Sequence, residues 1–337
     1  MTRPTIRPNR WTPPRPQPDS HPAPTLPPLR VVEVPGYGTE DVLVDDAGRV
    51  ITGTEDGRIL RISADGGVVE MLAMTGGRPL GLEFSPDGSL VVCDAHRGLL
   101  RVDLRTESVE VLVDAATGVD GVPLRFCNNA AVAADGTIYF TDSTRDLGVD
   151  HWKGDLLAHS RTGRLLRRTP TGEVDVLLHG LAFANGVALA ADESYVAVAE
   201  TGAYAVQRLW LTGGRAGKSE PFAENLPGFP DNIATGSDGL VWVTIASPRD
   251  PALDFLLPRH PVLRRVVWRL PDRLQPSPKR TVRVQAYDDA GTLVHDLNGT
   301  HDDFHMVTGV REHNGVVWLG SLHEPKVAAI GLLQAGT

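Results

Sequence analysis

From Glu40 onward, apolar and polar positions alternate in one recurring pattern: a short apolar run, a tight turn, then a second β-rich run. The first copy is Val42-Leu43-Val44-Asp45-Asp46-Ala47-Gly48 followed by Arg49-Val50-Ile51-Thr52. The same arrangement returns at Leu82–Val92, Ala131–Phe140, Val187–Val198, Ile233–Val243 and Val310–Leu319. Asp-Gly and Asn-Gly between β-branched runs predict hairpins, because both turn residues tolerate positive φ. The turns recur at roughly 40 to 60 residues, a period that strands occupy in β-propellers. Further strands follow each hairpin, as in Gly57-Arg58-Ile59-Leu60-Arg61-Ile62. The pattern predicts an all-β chain forming a six-bladed β-propeller with about four strands per blade.

One gap between copies is longer, at Ala246 to Gln285. Within it Pro261–Leu270 mixes apolar and arginine residues behind an initial proline, which predicts a short helix. The gap (246–285) is therefore expected to be a helical, cap-like insertion between blades five and six, covering a central pocket; its composition also permits membrane contact. Residues 1–28 contain ten prolines and several arginines without apolar periodicity. They are expected to be a disordered or surface-draped extension, because such a segment buries little apolar surface of its own. Residues 29–337 then form a single propeller domain.

Composition narrows the function. The net charge is −9 with no basic stripe outside the N-terminus, which argues against a nucleic-acid partner. Two cysteines, Cys93 and Cys127, make neither a disulfide framework nor a zinc cluster. No apolar run reaches the roughly 18 residues of a membrane span, and the N-terminus lacks a secretory apolar region, so a cytoplasmic location is expected. No Gly-x-Ser-x-Gly elbow, phosphate loop or dinucleotide fingerprint occurs.

The chemistry lies where each inner strand begins. In a propeller these starts ring one mouth of the central channel. The six equivalent positions are Glu40, the Arg78-Pro79-Leu80 region, Asn128, Asn185, Asp231 and Thr308. Four of them carry carboxylate or amide oxygens, and Asn232 adjoins one. Each alone could serve a turn. In register, two carboxylates aimed into one channel mouth call for a cation, and an all-oxygen set suits Ca2+, with magnesium or another divalent cation second.

Three longer segments add a family resemblance. Phe183-Ala184-Asn185-Gly186-Val187-Ala188-Leu189 with Ala199-Glu200-Thr201, Leu226–Ile233, and Leu319-Gly320-Ser321-Leu322-His323-Glu324-Pro325 resemble the strictosidine synthase-like family. That family belongs to the six-bladed superfamily of regucalcin, gluconolactonases and paraoxonases. The resemblance covers roughly Val31 to Leu332. It implies a channel calcium held by Glu40, Asn128, Asn185, Asp231 and Asn232. It also implies a catalytic glutamate in true strictosidine synthases at the place of Thr308, which disfavours a condensing enzyme here.

The expected function is calcium-dependent hydrolysis of a small-molecule lactone or aryl or alkyl ester, with water attacking a polarised carbonyl. Asp231, His96 and His323 are the candidate proton acceptors, and either histidine also fits a hydrogen-bonded structural role. Arg125 and Asn128 are placed to meet a substrate oxygen, although Arg125 equally suits a salt bridge between blades. The alternative is a non-catalytic propeller in which calcium is structural and the channel binds a ligand or partner.

Overall fold

The computed structural model describes residues 3–16, 26–275 and 277–332. Its strands form six four-stranded antiparallel sheets arranged as propeller blades. Blade one contains β2 (Val42–Val44) to β5 (Val69–Met74), and blade two β6 (Pro79–Phe84) to β9 (Val109–Asp114). Blade three runs from β10 (Cys127–Val132) to β13 (Val174–Leu181), and blade four from β14 (Ala184–Leu189) to β17 (Ser219–Ala223). Blade five spans β18 (Gly228–Thr235) to β21 (Leu293–Gly299). Blade six joins β22 (Val307–His313), β23 (Val316–Ser321) and β24 (Lys326–Gly331) to β1 (Leu29–Glu33). The outer strand of the last blade thus comes from the beginning of the chain, pairing Leu29 with Ile330 and Glu33 with Lys326, and this closes the ring.

The expected hairpins form for the expected reason. Gly48, Gly88, Gly136, Gly239 and Gly315 hold φ between 72° and 86° in the first turns of blades one, two, three, five and six, and Glu193 takes φ 56° in blade four. Aspartates brace these turns. Asp87, Asp135, Asp192 and Asp238 each accept from the backbone N–H two residues on, at 2.8–3.0 Å.

The second strands β7 (Leu90–Asp94), β11 (Ile138–Asp142) and β15 (Tyr195–Glu200) are buried throughout, whereas the outer strands are half exposed. Their apolar side chains meet between blades rather than in one central core. Val91, Cys93, Ala130 and Phe140 join blades two and three; Val196, Val198, Ala131 and Leu165 join three and four. Such a ring has no apolar centre, so its channel is free for chemistry.

The helical insertion falls one connection earlier than its sequence position predicts. Helices α2 (Pro251–Leu256) and α3 (Pro261–Arg269) leave β19 (Val241–Pro248) and return into β20 (Val282–Tyr287), inside blade five and not between blades five and six. The reason is that β20 and β21 pair across the turn at Asp288–Thr292 and complete that blade. A matching excursion, absent from the sequence reading, places α1 (Trp152–Ala158) between β11 and β12 (Gly163–Arg168) of blade three. Leu157, Ala158, Leu253, Leu257 and Trp268 pack the two excursions together as a lid.

Of the 1–28 extension, residues 1–2 and 17–25 lie outside the described residues. Residues 3–16 lie along the lid: Ile6 is buried in it, and Trp11 stacks on His159 at 4.4 Å. Arg264 in α3 is fully buried and donates to the carbonyls of Leu157 (2.9 Å), Ala158 (3.3 Å) and Asn9 (2.7 Å). One guanidinium therefore ties together α1, α3 and the N-terminal segment. Arg264→Ala removes the guanidinium donor from the Leu157 and Asn9 carbonyls, while Ala158 keeps the Asn9 N–H, and each buried orphan costs about 1–3 kcal/mol. The expected outcome is faster tryptic cleavage after Arg10 than in the wild type, with the far-UV signal of the blades retained.

Candidate functional site

The cavity lies between the lid and the inner strands and has a volume of about 340 Å³. Glu40, Asn128, Asn185, Asp231 and Thr308 line it at five of the six strand-start positions, and Leu80 fills the sixth. Part of the wall is apolar, with Glu55, Arg78, Asp150, Lys153, Asp250 and Lys279 completing the lining. Phe126 and Phe183 meet edge to face at 5.4 Å, beside Val149, Trp152 and Leu156.

Backbone order explains the ring. Threonine hydroxyls donate from one blade to the strand-start carbonyl of the next: Thr141 to Asn185 (2.6 Å), Thr201 to Pro230 (2.7 Å), Thr244 to Thr308 (2.9 Å) and Thr308 to Glu40 (2.7 Å). Thr308, the position that weighs against a condensing enzyme, thus closes blade six onto blade one.

The residue after each strand start follows a second rule. Blades one, three and five have Asp41, Asn129 and Asn232; blades two, four and six have Gly81, Gly186 and Gly309. A Cβ at Gly186 would stand 2.2 Å from the Ile233 nitrogen, and one at Gly309 would stand 2.7 Å from the Asp41 Cα, so glycine alone lets these strands approach. Asp41 and Asn129 stitch the junctions of blades one with two and three with four. Asp41 accepts from Leu82 N–H at 2.9 Å and from the Asn129 amide at 3.2 Å, while Asn129 accepts from Val187 N–H at 2.9 Å. Asp41 and Asn129 are the functional-site residues missed by sequence reasoning; the glycine–polar alternation was the available signal.

Electrostatics oppose ionisation of the cradle's carboxyls. Burial, then the neighbouring carboxylates of Asp231 and Asp41, hold Glu40 well above the usual carboxylate range. Burial lifts Asp231 to about 7, opposed by hydrogen bonding to Asn185 and to the Asn232 backbone. The amides are oriented to help: Asn128 donates its Nδ2 to Ser143 Oγ (2.9 Å), Asn185 to Thr201 Oγ1 (3.0 Å) and Asn232 to Glu40 Oε2 (3.1 Å). The Oδ1 atoms of all three are buried with no donor. Unpaired buried oxygens beside two carboxylates form the donor set of a hard cation. Among the described residues no group of three or more His, Cys, Asp or Glu side chains could hold a metal; this cradle combines two carboxylates with amides. Glu40, Asn128, Asn185 and Asp231 fit calcium from the cavity side, and Asn232 sits one residue deeper, outside the cavity lining.

The remaining sequence candidates separate. His323 lines the cavity at its rim, 5.7 Å from His305, and burial followed by His305 and Lys153 lowers its pKa. His96 is exposed in the turn after β7, the second strand of blade two, and lies outside the cavity lining. Arg125 is likewise exposed and outside it, its backbone N–H given to Asp142. Both follow the inner-strand pattern in sequence, but their side chains emerge from loops that turn outward.

The sign of the pH dependence follows. A carboxyl whose pKa is raised on folding stabilises below its unfolded value and loses that contribution as pH rises through its folded value. For Asp231 this interval runs from 3.8 to about 7. Without divalent cations, the melting temperature is expected to fall by about 5 °C or more across that range. Scanning calorimetry should find the fall reduced in Asp231→Asn and removed by excess calcium.

Residues 51–250 match the family described as SMP-30/gluconolactonase/LRE-like region, and residues 26–62 match the strictosidine synthase-like N-terminal family. The chain is 34% identical over 307 residues to the adipocyte plasma membrane-associated protein of Rattus norvegicus, covering 84% of this chain and 80% of that one. A gluconolactonase from Xanthomonas campestris shares the fold with a TM-score of 0.64 at 18% identity, over 98% of both chains. Regucalcin from Agrobacterium tumefaciens, described as a calcium-binding protein, does so with a TM-score of 0.61 at 12% identity, over 89% of this chain and 95% of that one. The chain belongs to the SMP-30/gluconolactonase/LRE-like family and carries the N-terminal segment of its strictosidine synthase-like members.

Proposed function

We propose that the channel mouth is a calcium-dependent hydrolytic site for lactones or for aryl or alkyl esters. The observation that carries this reading is the pair of stranded Asn128 and Asn185 Oδ1 atoms that line the cavity with the carboxylates of Glu40 and Asp231, with the stranded Asn232 Oδ1 one residue deeper. The names of the two fold neighbours, a gluconolactonase and a calcium-binding regucalcin, agree with it.

Calcium held by Glu40, Asn128, Asn185 and Asp231 would polarise the carbonyl of a bound ester or lactone. The chain supplies the rest. Phe126, Phe183 and Trp152 surround the acyl or aryl portion and exclude bulk water. In this reading Asp231, one of the carboxylates lining the cavity, accepts a proton from attacking water, and His323, which also lines it, passes that proton to solvent. Thr308 holds the Glu40 backbone and has no acid–base part, which weighs against a condensing enzyme.

A second reading, a ligand-binding propeller in which calcium only pins the inner strands, is favoured by the position of His96 outside the cavity. One experiment separates the two. Purified protein loaded with calcium is assayed on aliphatic lactones, sugar lactones and phenyl esters before and after EDTA. Hydrolysis predicts EDTA-sensitive turnover, with kcat reduced at least about 100-fold in Asp231→Asn. No EDTA-sensitive turnover on any substrate, with EDTA still lowering the melting temperature, leaves the binding reading in its place.

A further inference from the structure

Whatever the cavity does, the outer surface of its lid is unlike the rest of the molecule. Eleven large apolar side chains are exposed among the described residues, and five of them lie in residues 255–274. Phe255 (57%), Val262, Leu263, Val266 (54%) and Leu274 (60%) gather on a short stretch that should otherwise cover its apolar surface. Helix α3 explains the placement. Arg264 and Trp268 point inward and are buried, which turns Val262 and Val266, four residues apart, to the outside.

The charges agree. Residues 255–280 hold six arginines and one lysine against one aspartate, and residues 3–16 add four arginines and no acid, in a chain of net charge −9. Arg265, Arg269 and Arg273 are exposed with no acidic partner among the described residues, as are Arg7 and Arg10 in the segment laid beside α3. Arg3 fastens that segment to the carbonyls of Trp268 (2.6 Å) and Leu270 (2.5 Å). An apolar stripe flanked by unpaired arginines, on an otherwise acidic protein, is the chemistry of a helix lying in the interface of an anionic bilayer.

We propose that the α2–α3 excursion with the N-terminal segment docks the propeller onto an anionic lipid surface. The lid contributes Leu253, Gln275 and Lys279 to the cavity lining, so docking sets the cavity mouth beside the membrane. Val262 and Val266 enter the headgroup boundary while Arg265 and Arg269 meet lipid phosphates.

The full chain is sedimented with phosphatidylcholine vesicles prepared with and without phosphatidylserine. Binding is expected at least about fivefold stronger with phosphatidylserine, and lost when salt is raised from about 0.1 to about 0.5 M. A Val262→Ser/Val266→Ser variant is expected to bind about tenfold more weakly. Arg265→Glu/Arg269→Glu, which leaves the packed side of the helix untouched, is expected to do the same, and serves if the first variant melts early. Equal or absent binding to the two vesicle types overturns the proposal, as does undiminished binding by the arginine variant. Light scattering that shows a dimer dissolved by Val266→Ser also overturns it, by assigning the surface to a second copy of the chain.

Discussion

Two carboxylates enclosed at one end of a narrow channel are the constraint around which the rest of this molecule is arranged. Glu40 and Asp231 come from blades one and five, the first buried and the second half-buried, and each makes it harder to ionise its surroundings. A fold tolerates such a pair when other groups are fixed to receive the charge. Here asparagines supply that order: their amide nitrogens are committed to Ser143, Thr201 and Glu40, and their oxygens remain available.

Holding those oxygens still requires every blade to stop at the same height. The threonine collar does this on the carbonyl side, tying the start of one inner strand to the next. Glycine at blades two, four and six and the side chains of Asp41 and Asn129 do it on the neighbouring level, by close approach at some junctions and a side-chain stitch at the junctions of blades one with two and three with four. Closure of blade six by β1 completes the circle. The apolar clusters between blades then fix the radius, so the site geometry depends on the whole ring.

Much of this was legible in the sequence, because repetition makes position meaningful. The Asp-Gly turns identified the blades, and counting back from each turn led to Glu40, Asn128, Asn185 and Asp231, which the fold brings to one cavity. What escaped the reading depends on contacts between elements distant in the chain. The turn at Asp288–Thr292 resembles any other hairpin, so nothing local showed that β20 and β21 belong to blade five and that the helices lie within it. Helix α1 is seven residues long and has too short an apolar pattern to stand out. His96 and Arg125 sit near inner-strand motifs, yet the direction of a loop side chain is set by the fold around it. Residues 3–16 have no apolar periodicity, and their order comes from carbonyls that meet Arg264, Trp268 and Arg249.

If the stranded oxygens hold one cation, calcium alone should reveal it. Isothermal titration of the metal-free protein with calcium tests it without reference to any substrate. Saturable binding of calcium at the channel mouth is expected, weakened at least about tenfold when Asn185→Ala removes a single neutral oxygen. Absence of calcium binding, or binding that Asn185→Ala and Glu40→Gln leave unchanged, would contradict it.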